Sequence, residues 1–248
     1  MAPSDLFLPG VPADHILRRL EAAGGNEVAS GKLAHPESSA ALAVNAFGWF
    51  IPSPALFPPL PGTEDAGAAE QVEVEYCARF PWSGGRHPWL DAAVITATHL
   101  IGIESKRHEP FRDAKTASFA AAYERSVWGD NMARFDKMRI ALQSGELAFQ
   151  HLDAAQLVKH AYGLVTDARR RGKRPLLFYI YDEPRSRAGK PIPQSQISLH
   201  REEITTFACA VAGDEVEFAS SSYRAWLSQW HDPKTKRHAS ALTARFDL

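Results

Sequence analysis

Three residues in the middle of the chain, Asp91, Glu104 and Lys106, have the types and spacing that metal-assisted hydrolysis requires. Asp91 stands at the entrance of one short apolar run, Glu104 and Lys106 stand at the exit of the next, and twelve residues separate the two acids. If both runs are strands of a hairpin, the two carboxylates come close together. Because strand side chains alternate, Glu104 and Lys106 share one face and Ser105 points to the other.

This set of groups suits hydrolysis of a phosphodiester bond. Two carboxylates and a backbone carbonyl, here that of Ser105, are hard oxygen ligands of the kind that Mg²⁺ or Mn²⁺ prefers. Such a metal lowers the pKa of a bound water and neutralises the charge that builds up on the phosphate. A lysine two residues after the glutamate can orient the attacking water or stabilise the pentacovalent transition state.

A Glu-x-Lys triplet is a weak signal by itself, because a chain of this composition contains about one by chance. The alternative interpretation is a structural salt bridge. The position favours a functional role, since Glu104 and Lys106 directly follow the apolar run 100–103, and ionisable groups half-buried at a strand end are often functional. The related Asp232-Pro233-Lys234 lies in a polar turn, where proline excludes a central strand.

Hydrophobic periodicity predicts the elements that must position these residues. Helices are expected at about 14–23, 36–50, 114–127, 131–144, 152–171 and 200–212, with further helix through Trp226 and Trp230. Strands are expected at 71–77, 92–95, 100–103, 176–181 and 216–218. This order predicts an α/β fold with a central mixed sheet flanked by helices. We expect one domain over 1–248, with its core at about 35–183 and a C-terminal extension of extra helices at about 199–248.

The overall charge gives little attraction for a polyanion, because the formal net charge is −1 at pH 7. Local basic clusters must therefore make any contact with nucleic acid. One cluster ends the long helix and a second lies later in the chain: Arg169, Arg170, Arg171, Lys173 and Arg174, and then Lys234, Lys236, Arg237 and His238. For the first cluster, a solvated helix end favoured by the helix dipole and contact with phosphate are about equally expected.

Cysteine use and hydropathy indicate a cytoplasmic protein. Cys77 and Cys209 lie far apart in apolar surroundings, which predicts buried thiols in a reducing compartment rather than a disulfide. No run approaches the roughly 18 apolar residues of a membrane span. The first residues lack the basic region and apolar core of a signal peptide. We therefore expect no membrane association.

The pattern around the three residues resembles a known superfamily. An aspartate, an apolar strand and then Ile103-Glu104-Ser105-Lys106, with a helix before and a helix and strand after, are similar to the PD-(D/E)XK restriction-endonuclease-like nucleases. The chain also resembles a narrower group of uncharacterised bacterial members of that superfamily. The shared residues are Ser38-Ser39 with Asn45, Phe47 and Gly48, the strand 72–76, and the run from Ile103 to Glu109. The resemblance covers about residues 35–183.

The resemblance implies a fold with a central mixed sheet and a role for individual residues. Asp91 and Glu104 would be metal ligands, and Lys106 would be the catalytic lysine. Glu75 on the preceding strand would supply a further carboxylate, and Glu73 is its rival because a slip of one residue in register exchanges the two.

Two further positions follow from the resemblance. Glu109 matches the pattern of the narrower group, although a solvated acid at a strand edge is an equal alternative for it, for Glu75 and for Glu73. Exonuclease-like branches of the superfamily often place a glutamine near the metal on the long helix. Gln156 is the preferred residue there, with Lys159 and His160 as neighbours on the same helical face. For His160, an ordinary hydrogen-bonded helix histidine is the favoured alternative.

The sequence thus predicts a nuclease that uses Mg²⁺ or Mn²⁺ to hydrolyse DNA, with RNA as the second candidate substrate and both endonucleolytic and exonucleolytic cleavage open. A homodimer is compatible with this function, because one active site cuts one strand and a two-fold pair cuts both. Two alternatives stay open. One is a catalytically silent module that binds nucleic acid or protein, and the other is a small-molecule hydrolase with the same metal chemistry.

Overall fold

The computed structural model describes residues 6–24, 26–84, 86–112 and 116–248. Its α-helices are α1 Ala13–Ala22, α2 Ser39–Gly48, α3 Ala133–Ser144, α4 Ala154–Arg171, α5 Gln194–Val211, α6 Tyr223–Ser228 and α7 Pro233–Phe246. Its strands are β1 Ala69–Cys77, β2 Trp89–Thr96, β3 His99–Lys106, β4 Arg174–Tyr181, β5 Ser186–Arg187, β6 Lys190–Pro191 and β7 Glu217–Ser222. None of the helices in these ranges has the length and apolarity to cross a membrane.

The central sheet has five strands in the order β1-β2-β3-β4-β7. The first three strands pair antiparallel, whereas β3, β4 and β7 run parallel. The predicted α/β fold with a mixed sheet flanked by helices is therefore confirmed. Because β3, β4 and β7 are parallel, their carboxyl ends meet at one edge of the sheet, where β2 also begins. We call this edge the catalytic edge.

Each face of the sheet is covered by one apolar layer. On one face α2 and α6 pack aromatic side chains, including Phe47 and Trp226, toward the strands, and Trp230, in the connection to α7, joins the same layer. On the other face α4 lies against β3 and β4 and α5 lies against β7, with α3 packed on both helices. The apolar stripe that predicted α4 is buried along its length because its members recur at helical spacing.

Helix α4 lies unusually close to the sheet at Gly163. A Cβ atom there would stand 2.6 Å from Pro88 Cγ and 2.7 Å from the backbone oxygen of Ala78, so no side chain fits. Asp153 caps the start of the helix, because its carboxylate accepts a hydrogen bond from Gln156 N at 3.0 Å. Gly172, with a φ of 64°, caps its end. These contacts fix the rotation of α4 and hence which of its residues face the catalytic edge.

The C-terminal segment is part of the core. Strand β7 pairs along β4 from Leu176↔Glu217 to Tyr181↔Ser222 and completes the sheet. Helices α6 and α7 supply buried tryptophan and leucine side chains to the layer around α2. Residues 199–248, which the sequence placed outside the core, therefore provide an edge strand of the sheet and two helices of one layer.

Two sequence predictions are wrong in detail. The helix expected over 114–127 is absent from its described part, 116–127, which has only a short 3₁₀ turn at Ala121–Glu124; residues 114 and 115 lie outside the described residues. Its aromatic side chains Phe119 and Tyr123 pack individually against α4, which overrides the helical pattern. The thiols of Cys77 and Cys209 are free as predicted but not buried. Cys209 is exposed because the inward positions of α5 are Phe207 and Val211.

His238 gives the fold a measurable acid sensitivity. Its ring is buried and stacks on Trp49, and Nε2 lies 2.9 Å from Asn45 O. Burial lowers its pKa to about 4, although the hydrogen bond to Asn45 acts in the opposite direction. The unfolded chain then binds more protons below about pH 6.5, so stability from neutral His238 is present above that pH and is lost as the pH falls toward 4.

We therefore expect the difference in free energy of unfolding between wild type and His238→Gln to narrow with acidification. Between pH 6 and pH 5 the difference should shrink by roughly 1.4 kcal/mol, because only the wild type must keep this histidine deprotonated. Urea denaturation of both proteins across the pH range measures the difference. Two parallel stability curves would contradict the argument.

Candidate active site

The structure brings Asp91, Glu104 and Lys106 together at the catalytic edge. Strands β2 and β3 pair as far as Ala92↔Ile103, and one residue further Asp91 comes level with Glu104. Asp91 Oδ2 accepts a hydrogen bond from Ser105 N at 2.7 Å, and the Lys106 ammonium forms an ion pair with Glu104 Oε1. The side chains of Glu104 and Lys106 are 2% and 13% exposed. The three residues thus form one nearly buried cluster.

Strand β1 is distorted where it passes this cluster. Glu75 adopts a positive φ of 49°, and no residue pairs with it between Val74↔Ala92 and Tyr76↔Leu90. As a result Val74 belongs to the layer around α2, whereas Tyr76 belongs to the layer around α4. A non-glycine residue in this region costs about 1–3 kcal/mol, and such strain is common at functional sites.

Arg19 of α1 stabilises the distorted backbone. Its Nη2 donates to Glu75 O at 2.6 Å and its Nε donates to Val74 O at 3.1 Å. The same guanidinium lies 3.4 Å from the carboxylate of Glu73. One side chain therefore supports both strand carbonyls at the point where β1 turns.

Of the two rival acids on β1, the structure brings Glu75 toward the cluster. Glu73 is held by Arg19 and by Gln71, whose Nε2 donates to it at 2.8 Å. Glu75 is half-buried, and its pKa is raised to about 7, first by burial and then by the negative charges of Glu27 and Glu104. The electrostatic coupling to Glu104 indicates that Glu75 and not Glu73 belongs with the candidate site.

The three core residues have strongly perturbed pKa values. Burial alone would raise the pKa of Glu104, but Lys106 and then His160 outweigh it and lower the value to about 2. Burial opposes the charge on Lys106, yet Glu104 and Asp91 raise its pKa above the ordinary value. The pKa of Asp91 is raised well above its ordinary value by burial and by the charge of Glu104. The cluster therefore holds a Lys106–Glu104 ion pair beside an acid whose charged form is disfavoured.

The oxygen atoms of this cluster fit a divalent cation, although they do not surround a cation site completely. In the described ranges no group of three or more His, Cys, Asp and Glu side chains is already positioned to hold a metal ion. Glu104 Oε1 is buried against the Lys106 ammonium, with which a bound cation would share this oxygen. Mg²⁺ uses one or two carboxylates and keeps several waters. Asp91, Glu104 and the Ser105 carbonyl match that requirement, with Glu75 as an outer carboxylate.

On helix α4 the structure places His160 against the cluster. His160 Nδ1 lies 3.1 Å from Glu104 Oε2, and the histidine side chain is 4% exposed. Gln156, which the sequence favoured, lies one turn earlier and is half-buried. Lys159 points elsewhere, with its ammonium 5.3 Å from the centre of the Phe119 ring. Sequence periodicity put the three on one face but could not show which of them reaches Glu104.

The start of helix α2 and the end of β3 also meet here. The Glu109 carboxylate accepts hydrogen bonds from Ser39 Oγ and, at 3.0 Å, from Arg107 N. Its pKa is lowered because Lys106, Ser39 and the backbone outweigh the effect of burial. Ser39 and Glu109, both part of the resemblance, are thus in direct contact and connect α2 to the catalytic strand.

Two residues near the site carry no local sequence signal. Tyr223 OH lies 2.7 Å from Ser105 Oγ, although the two residues are 118 positions apart. Arg107 is buried; its Nε lies 3.3 Å from Asp182 Oδ2, and its other nitrogens donate to the backbone oxygens of Pro36 and Phe246. Their contribution depends on the full sheet, so only the structure could show it.

The basic cluster at 169–174 lies at the opposite edge of the sheet. Arg174 is paired with His99, at the start of β3, whereas Lys106 ends that strand. Its side chains are engaged within the protein: Arg169 with Glu215, Arg170 with Phe80 O, Arg171 with Asp167, Lys173 with Ala97 O, and Arg174 with Glu217. Of the two interpretations, these contacts favour a structural helix end.

A mixed five-stranded sheet with an Asp, a Glu and a Lys at the ends of two adjacent strands defines the restriction-endonuclease-like class of α/β proteins. The chain belongs to the family described as restriction endonuclease associating with ARP, whose model matches residues 3–246. No curated protein and no solved structure matches the chain. The family supports a nuclease-type role, and it extends the resemblance at 35–183 to nearly the whole chain.

Proposed function

We propose that this protein is a metal-dependent nuclease that hydrolyses phosphodiester bonds in DNA, with Mg²⁺ or Mn²⁺ as its cofactor. The observation that supports this most directly is the state of Glu104. Its carboxylate is buried, with Lys106 at one oxygen and His160 at the other, and these neighbours lower its pKa to about 2. A buried acid held ionised in this way is suited to bind a cation.

Each residue of the cluster has a distinct task in this proposal. Asp91, Glu104 and the Ser105 carbonyl hold the cation, which would supply positive charge at the scissile phosphate and acidify an attacking water. As a metal ligand, Asp91 would act in its ionised form. The ammonium of Lys106 orients the attacking water and stabilises the negative charge that develops on the phosphate. Ser105 N keeps Asp91 in position through the backbone of β3.

Calorimetric titration with Mg²⁺ and Mn²⁺, followed by incubation with supercoiled plasmid, tests the proposal. Wild type should bind metal and relax or linearise the plasmid, and Asp91→Asn should do neither. Asparagine is the appropriate substitution because it is nearly isosteric with aspartate and its amide oxygen can still accept the hydrogen bond from Ser105 N. Its unfolding temperature should therefore match that of wild type. The exposed Asp65→Asn serves as the control and should retain both activities.

The outcomes separate the open alternatives. Cleavage of closed circular plasmid requires an endonuclease, which is the mode that the family description supports, whereas degradation of linear DNA alone would indicate an exonuclease. If wild type binds no metal with or without DNA, the catalytic assignment fails. A silent module that binds nucleic acid or protein then becomes the better proposal.

We expect His160 to matter more than Gln156. Contacts that position a metal ligand are worth about 10–100-fold in metal affinity or activity. His160→Leu should therefore weaken Mg²⁺ binding by about that factor, and Gln156→Ala by much less. His160→Asn should restore part of the affinity, because an amide nitrogen can take the place of Nδ1. Calorimetry on the three variants decides between the residues, and a larger loss in Gln156→Ala would reinstate the assignment made from the sequence.

A further inference from the structure

A groove near the catalytic edge is lined by positive charge that forms no ion pair with another described residue. A cavity of about 770 Å³ lies between the residues after β4 and the helices α6 and α7. Three cations line it, Arg185, Arg224 and Lys236, and none of its lining residues is an aspartate or glutamate. All three are exposed, and none forms an ion pair with another described residue. We call this surface the basic groove.

The basic groove is adjacent to the candidate active site. Arg224 follows Tyr223, whose hydroxyl lies 2.7 Å from Ser105 Oγ, and Ser105 stands between Glu104 and Lys106. Arg185 comes four residues after Tyr181, which pairs with Lys106 across the sheet. The groove is therefore built from the segments that follow the carboxyl ends of β4 and β7, together with α6 and α7.

The acids nearest to the groove are already neutralised. A second cavity shares Arg185 and Arg224 with the first and is also lined by Asp182 and Glu183. Asp182 is paired with Arg107, and Glu183 is paired with Arg201. The positive charge of the basic groove is thus not cancelled locally. This contrasts with the basic residues at 169–174, whose side chains are engaged at the other edge of the sheet.

We propose that the basic groove binds the sugar-phosphate backbone of the DNA substrate and delivers it to Asp91, Glu104 and Lys106. This inference rests on the proposed nuclease function and names the surface that the substrate occupies. The chemistry that supports it is three exposed cations on one groove near the site, since Lys and Arg side chains are what the phosphates of a polyanion recognise. Base-specific contacts are not required for this role.

Fluorescence anisotropy with a short labelled DNA duplex of mixed sequence tests the groove without using catalysis. Binding is measured in EDTA over a series of salt concentrations for three proteins: wild type, the double variant Arg224→Gln/Lys236→Gln and the control double variant Arg134→Gln/Lys137→Gln. Both doubles remove two exposed charges, but the control charges lie on α3, on the opposite face of the sheet. Each phosphate contact contributes about 0.9 to the slope of log K against log salt.

In the double variant Arg224→Gln/Lys236→Gln, the slope should be smaller by about 2 and binding at low salt should be weaker. The control double variant should bind as wild type does. Equal effects in the two doubles, or a wild type that does not bind duplex in EDTA, would overturn the proposal. Cleavage measured separately with Mg²⁺ keeps the two proposals distinct. A raised KM with unchanged kcat in Arg224→Gln/Lys236→Gln supports DNA binding in the basic groove. If wild type binds DNA through the groove but never cleaves it, the binding proposal stands and the nuclease proposal fails.

Discussion

Replacing Lys106 with methionine should separate catalysis from metal binding. Cleavage is expected to fall by about 10²–10³-fold, the usual cost of removing one group that stabilises the transition state. Binding of Mg²⁺ should be unchanged or tighter, because the ammonium now lies against Glu104 Oε1 and competes with a cation for that oxygen. Asp91→Asn, in contrast, should lose both. Plasmid cleavage and calorimetry on the same preparation measure the two effects.

The buried Lys106–Glu104 pair makes a control necessary. Without the lysine, Glu104 loses the main charge that lowers its pKa to about 2, so some stability is expected to be lost as well. Thermal unfolding with and without Mg²⁺ detects this loss, and Lys137→Met on exposed α3 controls for the change in net charge. A Lys106→Met protein that cleaves as well as wild type would show that the pair is only a structural salt bridge.

Arg107 is expected to give the largest loss of stability. Its side chain is 7% exposed and serves Asp182, Pro36 O and Phe246 O, which lie on three different parts of the fold. Arg107→Ala leaves a buried acid and two buried carbonyls without their donor, and breaking such a pair typically costs about 3–5 kcal/mol. Urea denaturation gives the free energy of unfolding directly.

Two comparisons isolate the cause of that loss. Arg201→Ala breaks the exposed pair with Glu183 and should cost less than about 1 kcal/mol. The double Arg107→Met/Asp182→Leu leaves no buried charge and should be more stable than Arg107→Ala, since the penalty comes from the unpaired acid. If Arg107→Ala and Arg201→Ala lose the same amount, the buried network is not what holds these segments together.

The parts of the fold that were predictable are those specified by local pattern. The period-two run before Cys77 and the two apolar runs between Asp91 and Lys106 correspond to β1, β2 and β3. A short hairpin fixes the pairing of its strands, so the proximity of Asp91 to Glu104 could also be inferred. The mixed sheet followed from the order of elements, because a helix between β3 and β4 requires a parallel crossover.

What could not be predicted depends on packing between distant segments. The rotation of α4, set by the close contact at Gly163, decides that His160 and not Gln156 meets Glu104. Nothing in the sequence distinguishes Glu75 as the residue with positive φ, since a glutamate is not a usual choice there. The basic groove combines residues from three separate stretches, so only the second of the two basic clusters contributed a member, Lys236.

The position of β7 has a consequence for how the protein acquires activity during synthesis. The Asp-Glu-Lys hairpin leaves the ribosome early, but the strand beside β4, the hydroxyl that contacts Ser105 and the carbonyl that receives Arg107 are all made after residue 216. A nascent chain that stops before that point lacks part of the sheet that holds the hairpin in place. Interrupted translation should therefore release inactive fragments, and the proposed nuclease site is fully supported only after residue 246 has been made.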